Sequence, residues 1–166
     1  MKLPKIITQE EFEKIFKAEK NKEYKLAMLL GFEAGMRISE IVGWKDRVPA
    51  LTKDRVDELS IKIISGKGGK DRIVPRPKRL NENAKKLLPL KTSRRALQYE
   101  IKKLGKDILG KDISFHTLRH GFCSLLAQTR PLHEVQMLAG HSRLDTTGIY
   151  LHANPKEAIN KAREAF

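Results

Sequence analysis

Apolar positions first recur at helical spacing in the segment after Thr8, where Phe12, Ile15 and Phe16 fall on one face of TQEEFEKIFKAEK. Thr8 followed by Glu11 is a capping box, so a helix opens there. Leu26, Leu29, Leu30 and Phe32 predict a second, buried helix from about Glu23 to Ala34, ended or turned at Gly35. Helical pattern resumes in RISEIVGW, with Ser39 and Glu40 near its start. After Trp44 the pattern changes. Leu59–Ile64 alternates as a strand, SGKGGKD is a Gly-rich turn, and Arg72-Ile73-Val74-Pro75 returns as the second arm of a hairpin. Pro75 and Pro77 make the far end of that arm an edge. Helical periodicity returns after Asn81 and again from about Ser93 to Leu109. From Phe115 onward three or four short helices are expected, broken at Arg130-Pro131, Gly140 and Asn154-Pro155. The pattern predicts a mainly α fold with a small antiparallel β-sheet (α+β), in one domain spanning 1–166.

Length and composition narrow the class. A chain of 166 residues buries enough surface for a core without disulfides or metal. The 34 Lys and Arg exceed the 20 Asp and Glu, a net charge of +14. Such an excess repels itself unless a polyanion relieves it, which makes nucleic acid the first partner to consider and an anionic membrane surface the second. No apolar run approaches 18 residues, so no membrane span is expected. The N-terminal MKLPKIITQEEFEK lacks the apolar stretch of a signal peptide, and a cytoplasmic location is expected. The single Cys123, in the apolar run GFCSLLA, has no partner for a disulfide or zinc site and is expected as a small buried hydrophobe.

Three stretches carry candidate chemistry. In GKGGKDR the lysines precede a strand rather than a helix and lack a following Ser or Thr, which argues against a nucleotide-binding loop. With six Lys or Arg and one acid between Gly66 and Arg79, the hairpin is either a basic tip for a DNA groove or a solvated turn. In Phe115-His116-Thr117-Leu118-Arg119-His120, His116 and Arg119 share a helix face at i and i+3. A histidine able to move protons beside a fixed cation suits phosphodiester chemistry, and a polar helix start is the plain alternative. The third stretch, GHSRLDTTGIY at 140–150, places Tyr150 nine residues after His141. A metal site on His141 and His152 lacks a carboxylate or thiol at ligand spacing.

GMRISEI at 35–41, the Lys-tipped hairpin, HTLRH at 116–120 and GHSRLDTTGIY, in that order, closely resemble the catalytic domain of the tyrosine recombinases, the integrase and Xer family. The resemblance runs from about Thr8 to His152. It implies a mostly helical fold with a three-stranded sheet and a site-specific DNA strand transferase that needs neither metal nor ATP nor any other cofactor. It assigns Arg37 and Arg119 to the phosphate, Lys67 to protonation of the departing 5′-oxygen, His116 to the base, His141 to a phosphate hydrogen bond and Tyr150 to the nucleophile. Two arginines suit this work because their fork-shaped, permanently charged donors match the nonbridging oxygens. Tyr150, with an ordinary pKa near 10, needs a base and a cationic setting to attack.

Glu40, three residues after Arg37, is placed to orient that guanidinium, and His120 and Asp145 are expected as structural hydrogen-bonders. Lys70, Arg72, Arg76, Lys78, Arg79, Arg94, Arg95 and Arg143 are candidate DNA contacts. Three features depart from the family. Trp44–Pro49 stands where the family runs directly into its first strand, Arg130-Pro131 replaces a Gly-containing turn, and the usual N-terminal core-binding domain is not expected in these residues. The implied partner is double-stranded DNA, bound as a tetramer by a chain that is a monomer or weak oligomer without it, and the implied setting is cytoplasmic and nucleoid-associated, with a prokaryotic or viral origin. The C-terminal KEAINKAREAF reads as an amphipathic helix that in this family commonly packs on a neighbouring protomer. The alternatives are a catalytically inactive DNA-binding relative and a type IB topoisomerase-like enzyme.

Overall fold

The computed structural model describes residues 5–64, 71–140 and 155–166. The expected first helix is α1 (Gln9–Ala18), closed by the reciprocal Thr8–Glu11 capping box. Helix α2 (Lys22–Glu33) is capped by the Asn21 side chain and is buried continuously from Leu26. It lies at the centre of the molecule, which is why its apolar residues occupy every face instead of one stripe. Gly35 ends this segment at φ +64°, and a Cβ there would lie 2.4 Å from the Phe122 ring. Both a left-handed backbone and a close approach therefore require glycine. Helix α3 (Ile38–Val42) begins immediately afterwards.

Strands β1 (Ser60–Ile63) and β2 (Arg72–Pro75) pair antiparallel, with Ser60 opposite Pro75 and Ile63 opposite Arg72. The resemblance implied three strands. Among the described residues the sheet has two, and the chain before β1 touches it through a single bridge, Val56 to Ile61. In the preceding segment Trp44 to Val48 folds back on itself through its own bridge, and Lys53–Arg55 makes a 3₁₀ turn. Little extended chain is left to form a third ladder.

Helices α4 (Glu82–Lys85) and α5 (Arg94–Leu104) follow, capped by Asn81 and Ser93. The helix expected to reach Leu109 is α-helical only to Leu104 and continues as a π turn, Gly105–Leu109. Ile113 explains the change, since a Cβ on Gly105 would sit 2.4 Å from its Cγ1, and the backbone adjusts to admit that side chain. Helices α6 (Phe115–Ala127), α7 (Leu132–Ala139) and α8 (Pro155–Glu164) complete the described chain, with the breaks at Arg130-Pro131 and Gly140 as expected.

The main core gathers α1, α2, α3, α5, the sheet and the start of α6, with Phe12 stacked on Phe32 at 4.1 Å between ring centroids. A second cluster joins Phe122, Leu126, Val135 and Leu138 to Ile159 and Ala162 of α8. Helix α8 thus docks on its own domain in this chain. Phe166 links the two clusters, 5.8 Å from the Phe32 ring and 6.1 Å from that of Phe122. Cys123 is half-buried at the edge of the second cluster, not fully enclosed as expected; burial raises its thiol pKa. Among the described residues no helix is long and apolar enough to cross a membrane.

Candidate active site

The site forms where the C-terminal end of α2, the start of α3, strand β2, helix α6 and the end of α7 converge. Its hub is one carboxylate. Glu40, buried at 5% exposure, accepts from the Arg37 backbone N–H at 2.7 Å and from Arg37 Nη1 at 2.9 Å. Its two oxygens also take Arg72 Nη1 and Nη2 at 2.5 and 2.9 Å, a bidentate fork. The i to i+3 relation of Arg37 and Glu40 was legible from the sequence, and the helix start delivers it.

Arg72 was expected among the DNA contacts, and the structure turns it inward. In a strand, alternate residues share a face, so Arg72 points the same way as the fully buried Val74. Its side chain is only 8% exposed, and Nε donates to the Leu138 carbonyl at 3.1 Å. That alternation was the available signal for its role. Arg76 continues the same face, donating to the Leu80 and Asp57 carbonyls and pairing with Glu82 at 2.9 Å. Arg79 is shared between Glu13 and Glu33 at 2.8 and 2.6 Å. These three therefore hold the fold together, whereas Lys78 and Arg95 are exposed and Arg94 is half-buried.

Arg119 enters from α6. Its Nη1 donates to the Gly35 carbonyl at 2.6 Å and its Nη2 to the Ala139 carbonyl, so it ties the end of α2 to the end of α7. Arg37 Nη2 reaches the Gly140 carbonyl at 3.3 Å. Three guanidiniums thus surround a single carboxylate, a local charge of 3 − 1 = +2. The imbalance is visible in Arg119, whose pKa burial and the charges of Arg37 and Arg72 push down to about 10. An arginine has five N–H donors, so Arg37 and Arg119 each keep donors beyond those spent on protein oxygens.

Both arginines line a cavity of about 280 Å³ together with Met36, Ser39, Gln98 and His116, among others. His116 sits at its wall, edge-on to His120 with ring centroids 4.4 Å apart. Burial, then His120, Arg119 and Arg37, lower the His116 pKa below its ordinary value, and burial and Arg119 do the same to His120. A neutral imidazole beside uncompensated guanidiniums can take a proton from a group that attacks an anion held by those guanidiniums. Ser39, Ser114 and Gln98 also line the cavity and were not singled out from the sequence. Nothing local marks them, because their convergence depends on how α3, α5 and α6 pack. Lys67, Lys70, His141, Arg143, Asp145, Tyr150 and His152 lie outside the described residues.

Over residues 5–157 the chain matches the phage integrase family. It is 33% identical to the tyrosine recombinase XerA of Pyrococcus horikoshii over 97% of this chain and 62% of that protein. The integrase of mycobacterium phage Brujita superposes with a TM-score of 0.78 at 21% identity, covering all of this chain and 59% of that one. The XerH site-specific recombinase, solved bound to its difH substrate before cleavage, superposes with a TM-score of 0.64 at 25% identity, over 95% of this chain and 53% of that one. The chain spans less than two thirds of the length of each. Because the family match runs through every element that brings a guanidinium to Glu40, the resemblance seen in the motifs is one of descent, and this chain belongs to the phage integrase family.

Proposed function

We propose that this chain is the catalytic domain of a tyrosine recombinase, cleaving and rejoining strands of double-stranded DNA at a specific site through a 3′-phosphotyrosyl intermediate. The observation that carries the proposal is the net +2 cluster of Arg37, Arg72 and Arg119 around Glu40, opening on one cavity beside a His116 held toward its neutral form. A phosphodiester placed there receives donors from Arg37 and Arg119, which match the charge that builds on its nonbridging oxygens. Arg72 does not touch it; through Glu40 it fixes the position of Arg37.

In this reading Tyr150 gives its proton to His116 and attacks the phosphorus. The bond from phosphorus to the 5′-oxygen breaks, and Lys67 protonates the departing oxygen. His141 adds a hydrogen bond to the phosphate. The phosphotyrosyl ester is itself a phosphodiester, so a 5′-hydroxyl can attack it to rejoin the strand without ATP or a metal. Assembly as a tetramer on DNA, as the resemblance implies, and a cytoplasmic, nucleoid-associated setting belong to the same proposal.

A duplex nicked close to the cleavage point tests it, because the short 5′-fragment diffuses away and traps the adduct. We expect a covalent protein–DNA species from the native chain and none from Tyr150→Phe, with DNA affinity retained. Binding without adduct by the native chain would identify an inactive relative. Relaxation of a supercoiled plasmid with no recombination would identify a topoisomerase-like enzyme.

A further inference from the structure

The segment Trp44 to Val48 forms a short exposed turn. Trp44 N–H donates to the Val48 carbonyl at 2.9 Å, Arg47 N–H returns to the Trp44 carbonyl at 3.1 Å, and Lys45 takes φ +50°. Trp44 is 37% exposed, and three cations gather on its indole. Arg47 Cζ lies 5.2 Å and Arg94 Cζ 5.4 Å from the ring, with Lys45 Nζ at 5.9 Å. One cation satisfies an indole face, and three repel one another. Among the described residues none of the three forms an ion pair with a carboxylate, and Arg94 Nε is buried without an acceptor.

The position of this cluster relates it to the site. Arg94 precedes Gln98 by four residues on α5, so the two share a helix face about 6 Å apart along the axis, and Gln98 lines the cavity of Arg37 and His116. A strand of duplex DNA advances about 3.4 Å per phosphate. A phosphate in the cavity therefore puts its near neighbours within reach of the turn.

We propose that Arg47 and Arg94, held on Trp44 as a platform, form an accessory clamp for the DNA backbone flanking the phosphate in the active site. The indole fixes the two guanidinium planes while leaving their outer N–H groups free for phosphate oxygens. This inference rests on the DNA-cleaving reading of the cavity and extends it to the backbone beside the reacting phosphate.

Trp44 is the sole tryptophan of the chain, so its fluorescence reports on this turn alone. The native chain, Arg47→Ala and Arg94→Ala are titrated with a labelled duplex over a range of salt, following the anisotropy of the label and the Trp44 emission together. We expect the emission to change in step with the anisotropy. Each variant should lower the slope of log K against log salt by about 0.9, which at 0.1 M salt is about eightfold weaker binding. Thermal melting of Arg47→Ala should match the native chain, since that side chain is exposed, and for half-buried Arg94 the slope is compared at a temperature where melting shows the variant fully folded. Unchanged slopes, or an indole silent at saturating DNA while anisotropy reports binding, would overturn the clamp and leave the cleavage reading intact. No anisotropy change at low salt would overturn both.

Discussion

Gly140 sits directly against Arg72: a Cβ on the glycine would lie 2.7 Å from Arg72 Cδ and 2.9 Å from Nε. The glycine also ends α7 at φ +65°, and its carbonyl accepts from Arg37. One residue thus closes a helix, makes room for the buried guanidinium and supplies an acceptor to the exposed one. We expect Gly140→Ala to cost about 1–3 kcal/mol from the left-handed backbone alone, with a further loss of DNA cleavage as Arg72 is displaced from Glu40. Chemical denaturation and adduct yield on a nicked duplex measure the two effects separately.

Glu40 is the only counter-charge the cluster has among the described residues. Replacing it with Ala leaves buried cations unpaired and should destabilise the fold by about 3–5 kcal/mol. Burial raises its carboxyl pKa, but the hydrogen bonds and charges of Arg72 and Arg37 outweigh burial, and the net direction is downward. Its contribution is therefore complete above the unfolded-state value of about 4.3 and is lost as pH falls through the lower folded value. The stability gap between the native chain and Glu40→Ala should accordingly narrow only in acid. Urea unfolding at pH 7 and pH 3 gives both numbers, and a gap independent of pH would show that Glu40 contributes by packing.

His116 sets a second pH dependence. Burial and the cations around it lower its pKa below the ordinary 6.5. A base must be unprotonated to act, so adduct formation should already be at its plateau near pH 7 and fall only below about pH 6.5. The second-order rate at limiting DNA reports the free chain and is the quantity to follow. Persistence of that acid limb in His116→Gln would assign it to another group.

The C-terminal helix should prove necessary to the isolated domain. Ala158, Ile159 and Ala162 are buried, and Phe166 packs between Phe32 and Phe122. Deleting residues 156–166 uncovers that surface, and Ile159 with Phe166 alone accounts for about 3 kcal/mol or more. We expect a lower melting temperature and aggregation. A truncated chain that melts like the native one would show that α8 contributes nothing in cis.

Local physics made much of this protein legible in its sequence. The Thr8–Glu11 box, the stop at Gly35, the hairpin arms and the breaks before α7 and after it are short-range events, each decided by a few neighbouring residues. The pairing of Arg37 with Glu40 belongs with them, because three residues of helix bring the groups together. Tertiary structure decided the fate of the other cations. Lys and Arg are alike in a charge count, yet Arg72 and Arg76 lie on the face that β2 turns inward with Val74, while Arg47 and Arg94 meet on an indole from segments far apart in the chain. It also sent α8 back onto its own domain, because Phe122 and Leu138 offer an apolar surface that only the packing of α6 on α7 creates. Spacing along a chain specifies which residues can share a face; what that face meets depends on contacts between distant segments.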